Sequence, residues 1–583
     1  MKLNNSNFFP LVGKTLILVF VTIGMFACSK CQDTKSSNLL SNVMPIDIDF
    51  KSSIAKNNSA AYVTSQCYTK TQDPQGNLSN PCFSCHIDSI EPNYINDGDL
   101  QESYAMSTYT KKNRFSNLFL DRSSLVSKID DQSILNYVKE DNYKDQNTLK
   151  LKTKLTNIPK AWDINNNGIW DGYIPDCYFN FDNEGFDLDP QGNYTLWRAF
   201  AYYPFLGTFW PTNGSTDDVL IRLANVFALD EQKNFNLEVY KINLAIVEAL
   251  IKQKNIQIDP TDETLYGVDL NQNGHLDLAQ EITFFWKKPT YDSRTKKLHN
   301  FSMSYVGHAK DLLLSNEQLL APGLYPKDTE FLHSVRYIDL EQKTGKVKMA
   351  PRMKELRYAK KNSWNSYPQI SNASMSEIVE KDLFPDRLRS IAGNSEEGLQ
   401  TGLGWTYQGF IEDAQGELRP QNYEETLYCI GCHSGIGAIA DSTFVFQRKF
   451  DYNATLQGWY HWTQDPKGFK NIKEPKTKEG KYEYSFYLQQ NKAGDEFRSN
   501  EEVLSKFFDN KVLKEEQLDL LHNDISHLII PSAKRALELN KAYFVIVKEQ
   551  SYIYGRDAHI KPLLNVHKSV QEGQSTQLKA LSY

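Results

Sequence analysis

Three things are missing or scarce in this chain of 583 residues. It has no basic stripe: the net charge is −7 and acidic and basic residues are interspersed, which argues against a nucleic-acid partner. It is poor in long apolar runs. Thr15–Ala27 is uncharged and largely apolar, yet too short to span a bilayer stably. Cysteine is sparse as well, with eight residues in all. Aromatic side chains, by contrast, are plentiful (32 Tyr, 31 Phe, 9 Trp), which suits a large flat cofactor and an ordinary core equally. The length exceeds what one hydrophobic core usually organises, so two or three domains are expected.

Four of the cysteines fall into one repeated pattern. Cys82-Phe83-Ser84-Cys85-His86 and Cys429-Ile430-Gly431-Cys432-His433 each set two thiols three residues apart with a histidine directly after them. That spacing serves covalent haem attachment: each thiol adds to one vinyl group as a thioether, and the histidine offers its imidazole to the iron. From the composition a chance match is expected roughly 0.002 times, and there are two. The competing explanation is a zinc or redox Cys-x-x-C pair. On these two motifs alone the chain resembles the dihaem c-type cytochromes. The resemblance implies two covalent haem c groups, held by Cys82, Cys85, His86, Cys429, Cys432 and His433, and electron transfer to an unidentified redox partner.

The N-terminus reads as an address. Lys2 and Lys14 precede the apolar run, as in a signal peptide over residues 1–27. Ala27 before Cys28 resembles the lipobox of bacterial lipoproteins, which implies that Cys28 carries the lipid and becomes the mature N-terminus. Met25 stands where that box usually has leucine and Phe26 is bulkier than usual, so a plain secretory signal cut nearby is the alternative. Both readings export the protein. The lipid would hold it to the bacterial envelope, facing the periplasm or at the outer membrane, and Ser29 after Cys28 resembles outer-membrane sorting. Residues 28–60, rich in Ser, Asn and Lys, read as a flexible tether. Of the remaining cysteines, Cys31, Cys67 and Cys177, two could pair in an oxidising compartment, with Cys67–Cys177 the natural guess.

Along the chain, residues 61–145 form a first haem region, 146–347 a middle region and 348–583 a second haem region with C-terminal helices. In the first, Asp131–Lys139 places Ile134, Leu135 and Val138 on one helical face. In the middle, 234–255 is the best helix, with Leu237, Tyr240, Leu244, Val247 and Ile251 at helical spacing. Residues 196–210 suit strand or irregular structure. Polar turns at 73–77, 189–193, 343–346 and 413–416 predict hairpins. Helical patterns over 501–508, 515–530 and 532–545 close the chain, with Pro531 as a break. The fold expected is therefore mixed α+β: mainly helical cytochrome c-like haem regions flanking an irregular, hairpin-bearing middle.

Two loops in that middle share the pattern D-x-N-x-N-G-x-x-D. One supplies Asp163, Asn165, Asn167, Ile169 and Asp171; the other supplies Asp269, Asn271, Asn273, His275 and Asp277. Oxygen side chains at positions one, three and five, glycine at six, a backbone carbonyl at seven and an acid at nine can wrap calcium. The EF-hand glutamate at position twelve is absent, replaced by Ile174 and Gln280, and Asp176 and Glu281 are nearby substitutes. An Asn/Gly-rich turn without metal is the plain alternative.

What a haem does depends on the iron's other face: a second strong ligand closes it for electron transfer, whereas an open face admits peroxide. His461 is the first choice for the second haem, against a histidine simply packed among aromatics. Met106 is the candidate for the first, with His333 and Met353 as rivals. Arg352, Lys354 and Arg357 could neutralise propionates, although a solvated basic helix face explains such a cluster more simply. The leading expectation is an envelope electron carrier. The alternative is a dihaem enzyme of peroxidase type with one open haem, and a calcium-stabilised binding protein with structural haems is a third reading.

Overall fold

The computed structural model describes residues 40, 42–72, 76, 81–205, 211–463, 469–490 and 500–578. The signal peptide, Cys28, Cys31 and most of the turn at 73–77 lie outside these residues.

Among the described residues, backbone pairing is dominated by one antiparallel sheet of nine strands. In chain order these are β1 (Phe186–Leu188), β2 (Tyr194–Phe200), β3 (Thr216–Arg222), β4 (Glu330–Leu340), β5 (Val347–Lys361), β6 (Gly393–Asn394), β7 (Gly398–Gln400), β8 (Trp405–Glu412) and β9 (Leu418–Pro420). They lie in the order β6-β7-β8-β5-β4-β3-β2-β1, with β9 also on β8. Three hairpins stand where polar turns predict them. In two, one aspartate closes the turn: Asp189 Oδ1 accepts the N–H groups of Gln191 and Asn193, and Asp413 Oδ1 those of Gln415 and Glu417.

This sheet overturns the expectation of mainly helical, cytochrome c-like haem regions around an irregular middle. It takes strands from both the 146–347 and the 348–583 stretches, and the β4–β5 hairpin straddles residue 347. The physical reason is burial. Most of β4 and the centre of β5 are covered on both faces, so the apolar/polar alternation that marks a strand in sequence is lost.

The helices expected at 131–139, 234–255 and 532–545 sit close to those places, whereas those over Tyr367–Leu383 and Tyr423–Cys432 were not expected. Helix α1 (Asp131–Lys139) is capped by Asp130, which accepts the Ser133 N–H. Helix α2 (Leu237–Lys252) starts at Asn236, which accepts two N–H groups, and ends at Gln253 in a left-handed conformation. Three more complete the frame: α3 (Tyr367–Leu383), α4 (Tyr423–Cys432) and α5 (Ala533–Glu549). One face of the sheet, with Phe200, Ile221, Phe331 and Tyr407, packs against α2 and α4. The other, with Leu220, Leu332, Leu356 and Phe410, is covered by Tyr143, Leu151, Trp162 and Trp170. Each such Leu, Ile or Phe contributes about 1.5–3 kcal/mol on full burial. Among the described residues no helix is long and apolar enough to cross a membrane.

Candidate functional site

Helix α4 ends on the second motif. Asn422 and Glu425 form a capping box at its start, and Glu425 grips Arg419 through two bonds of 2.8 Å. Helical spacing puts Cys429 and Cys432 on one side, with His433 at the C-terminal cap. His433 Nδ1 lies 3.1 Å from the Ser442 carbonyl. A carbonyl only accepts, so Nδ1 carries the proton and Nε2 keeps its lone pair. Tyr407 stacks on the ring at 4.7 Å between centroids. Burial holds this imidazole down to about 4, and it is neutral at neutral pH.

The first motif forms a single 3-10 turn, Cys82–Ser84, after Pro81. His86 Nδ1 lies 3.0 Å from Asp97 Oδ2, and the Cys67 thiol acts on the charge of the ring. Burial works against charge on His86, but Asp97 and Cys67 outweigh it and lift the imidazole to about 9.

The two motifs, far apart in sequence, meet in space. Asp97 Oδ1 accepts the Gly437 N–H at 3.1 Å, and Asn93 Nδ2 donates to the Ile436 carbonyl at 2.7 Å. The approach is close enough to demand glycine. A Cβ on Gly437 would stand 2.0 Å from the Ile87 carbonyl oxygen, and one on Gly431 2.2 Å from that of Tyr62.

The sheet beneath α4 carries a row of opposed residues: Phe200, Val219, His333, Arg357 and Gly409. His333 Nε2 lies 2.9 Å from Asp217 Oδ2. Arg357 and Arg556 both hold Glu355, at 2.9 Å each. Their charges bear on Cys429, those of Arg357 and His333 bear on His433, and Arg556 Nε is buried with no hydrogen-bond partner among the described residues. The basic cluster is thus a strand rather than a solvated helix face. Arg352 is committed elsewhere, to Glu412 and Glu140, and Lys354 to the Gly214 carbonyl.

The other candidate ligands separate. His461 is buried with Nε2 2.7 Å from Asp218 and Nδ1 2.9 Å from Thr463, so both ring nitrogens are taken by protein. Met353 is fully buried in the core on the far face of the sheet. Met106 packs with Tyr68 and Phe115 in a cluster that Cys67 borders. Cys177 is buried in the far-face core, so the expected Cys67–Cys177 pair is corrected: both thiols are free and belong to different clusters.

The two D-x-N-x-N-G-x-x-D loops are built alike. Asp163 accepts the N–H groups of Asn167 and Gly168, and Asp269 those of Asn273 and Gly274. The amides of Asn165 and Asn167 donate to Asp171, and those of Asn271 and Asn273 to Asp277. At position seven, Ile169 and His275 donate N–H to the asparagine two residues earlier. A buried glutamate staples each loop from outside: Glu396 accepts from Ile164 and Asp171, and Glu263 from Leu270, Asn271 and Asp277. Asp176 and Glu281 serve other partners, Trp197 and Arg222 for the first and Asn255 for the second. The same Asp and Asn oxygens are the donors a hard cation takes, and a bound ion would do so in exchange for part of these hydrogen bonds, since Asn165, Asn167, Asn271 and Asn273 already accept backbone N–H groups through Oδ1.

Sequence reasoning missed Asp97, Asn93, Ser442 and Arg556. Nothing in their local sequence marks them, because each acquires its role from a segment distant in the chain or from a turn folded back on the motif.

The family whose model matches is one of lipoproteins, and the match runs over residues 51–527. The chain belongs to that family. A relative, an uncharacterized lipoprotein of Aquifex aeolicus (strain VF5), is 31% identical over 552 residues, covering 85% of either chain. No solved structure matches. The lipoprotein is accordingly exported and lipid-anchored in the cell envelope. The resemblance to dihaem c-type cytochromes is corrected: the relationship that spans most of the chain is to lipoproteins. Among the described residues, moreover, no group of three or more His, Cys, Asp or Glu side chains is gathered to hold a metal ion. Two five-residue motifs are too short to define descent when the surrounding fold is a nine-stranded sheet.

Proposed function

We propose that this lipoprotein is an electron carrier of the cell envelope, with a haem attached covalently at each C-x-x-C-H segment. The observation that carries the reading is the junction at Asp97, which joins the His86 loop to the loop that follows His433. Bound haem supplies a one-electron couple. The chain's own groups do the holding. The four motif thiols are half-buried, and each pair would form the two thioethers. Asp97 and the Ser442 carbonyl orient the two imidazoles through Nδ1. Arg357 and Arg556, whose charges reach Cys429, suit the carboxylates of a haem. A redox protein of the envelope is the partner this implies, and Cys28 is the residue proposed to carry the lipid. Calcium in the two Asp/Asn loops is the second cofactor of the reading, in a structural role.

Intact mass and electronic spectra of the processed protein test the proposal. The expected result is a mass exceeding the bare chain by two haems, with both irons low-spin and inert to peroxide. A high-spin ferric haem that turns over peroxide would replace the carrier with the peroxidase-type enzyme. A bare-chain mass ends both readings.

A further inference from the structure

A cavity of about 430 Å³ opens between α2, the strand Ile256–Asp262 and the segment 449–459, and shares no lining residue with either motif. Its floor is cationic. Arg198, 4% exposed, is clamped between the rings of Phe186 and Trp459, 4.2 and 3.8 Å from their centroids. Its Nε donates to the Glu184 carbonyl at 3.0 Å and Nη2 lies 3.7 Å from the Glu184 carboxylate. Nη1 has no hydrogen-bond partner among the described residues. Lys449, also 4% exposed, stands 4.4 Å from the Trp459 centroid and 3.1 Å from Glu248.

The charges of this floor do not balance. Glu248 is fully buried, yet it serves both Lys449 and Lys252, each at 3.1 Å, and the Glu184 carboxylate beside Arg198 is 44% exposed. Burial accordingly holds Arg198 down to about 10 and Lys449 down to about 8. Burying a cation without a full partner is costly, and an anion seated on the floor would offset that cost. The mouth carries more acid than base: Glu238 and Asp451, with side chains 63% and 84% exposed, line it with Asp259 and Glu281, against the lysines Lys241 and Lys254. Glu238 meets Lys241 at 2.9 Å and Asp451 meets Lys252 at 3.3 Å, which leaves the exposed carboxylates in excess at the entrance.

We propose that this cavity binds a small zwitterion of the amino-acid or short-peptide class, its carboxylate on Arg198 and Lys449 and its ammonium among the acids of the mouth. The volume lies within the ordinary range for small-ligand pockets. Cation inside and acid outside set the orientation: a carboxylate alone is repelled at the entrance, and an amine alone at the floor. The site stands apart from the haem reading and survives its failure.

Calorimetric titration of the processed full-length protein with triglycine, N-acetyltriglycine and triglycine amide is the test. Triglycine should bind one to one, at least about tenfold more tightly than either capped peptide, since each cap removes one charge pair. Arg198→Met should abolish binding. Should that variant fail to fold, Arg198→Lys, which keeps the charge and loses the planar fork, and the exposed pair Glu238→Gln with Asp451→Asn decide instead. Each of these should weaken triglycine, and the mouth variants should leave triglycine amide no tighter. No triglycine binding, equal affinity for the three peptides, or variants that bind as the parent does would each overturn the proposal.

Discussion

Asp97 Oδ2 stands 3.0 Å from His86 Nδ1, and through its other oxygen the same carboxylate takes the N–H of Gly437 at 3.1 Å. A single buried side chain therefore sets the orientation of one motif histidine and the path of the chain beyond the other. The junction depends on close backbone approach, and Gly437→Ala would force a Cβ to within 2.0 Å of the Ile87 carbonyl oxygen. We expect that substitution to cost about 3 kcal/mol or more in urea unfolding. Gly168→Ala, at φ +79° with nothing within 4 Å, should cost only about 1 kcal/mol. Equal costs would mean that the motif loops do not interlock.

Haem attachment makes a stoichiometric prediction. Replacing Cys429 and Cys432 by Ala should lower the intact mass by one haem, as should replacing Cys82 and Cys85, with the other haem retained in each case. Loss of both haems from either double variant would point to misfolding rather than to two independent attachments.

His461 is predicted to matter for stability and not for the haem spectrum. Removing it leaves the buried Asp218 carboxylate with Ser334 and, at 3.9 Å, Arg336. His461→Ala should therefore cost about 3 kcal/mol, read by chemical denaturation. The spin state of both irons should not change, and a new high-spin signal would restore His461 as an iron ligand.

Acid should loosen the floor beneath α4. Burial opposes the charge on Glu355, but Arg357 and Arg556 outweigh it and hold the carboxyl down from 4.5 to about 2. A carboxyl depressed in the folded state contributes stability that is fully present above pH 4.5 and disappears as pH falls toward 2. Glu355→Gln should thus destabilise by about 3 kcal/mol at pH 7. The gap from the parent should narrow steadily in unfolding curves at pH 5, 4 and 3.

Calcium, if it occupies the Asp/Asn loops, should raise the melting temperature, and a chelator should reverse the gain. Glu263→Gln removes a charged acceptor from three backbone N–H groups and should cost about 1–3 kcal/mol with or without the ion. A melt indifferent to both calcium and chelator would leave the loops as hydrogen-bonded turns.

Features governed by neighbours in the chain were legible in the sequence. Helices α1 and α2 followed from apolar spacing, and the hairpins at 189–193 and 413–416 from an aspartate that turns its own backbone. The paired thiols with their histidines and the exported N-terminus were visible in the same way. The sheet was not, because strands such as Glu330–Leu340 are buried on both sides and carry no alternating signature. His461 illustrates the same limit: its aromatic neighbours were readable, whereas the Asp218 that occupies its Nε2 lies 243 residues away.

The sequence by itself determined which groups are available: two C-x-x-C-H segments, twin Asp/Asn loops, a short apolar leader and a cysteine after it. Only the tertiary structure decided that the motif loops touch, that Arg357 and Arg556 share Glu355 below the second of them, and that Arg198 and Lys449 flank one tryptophan. The physical reason is range. Spacing rules act over a helical turn or a hairpin, whereas hydrogen bonds and ion pairs between distant segments exist only once hydrophobic burial has brought those segments together.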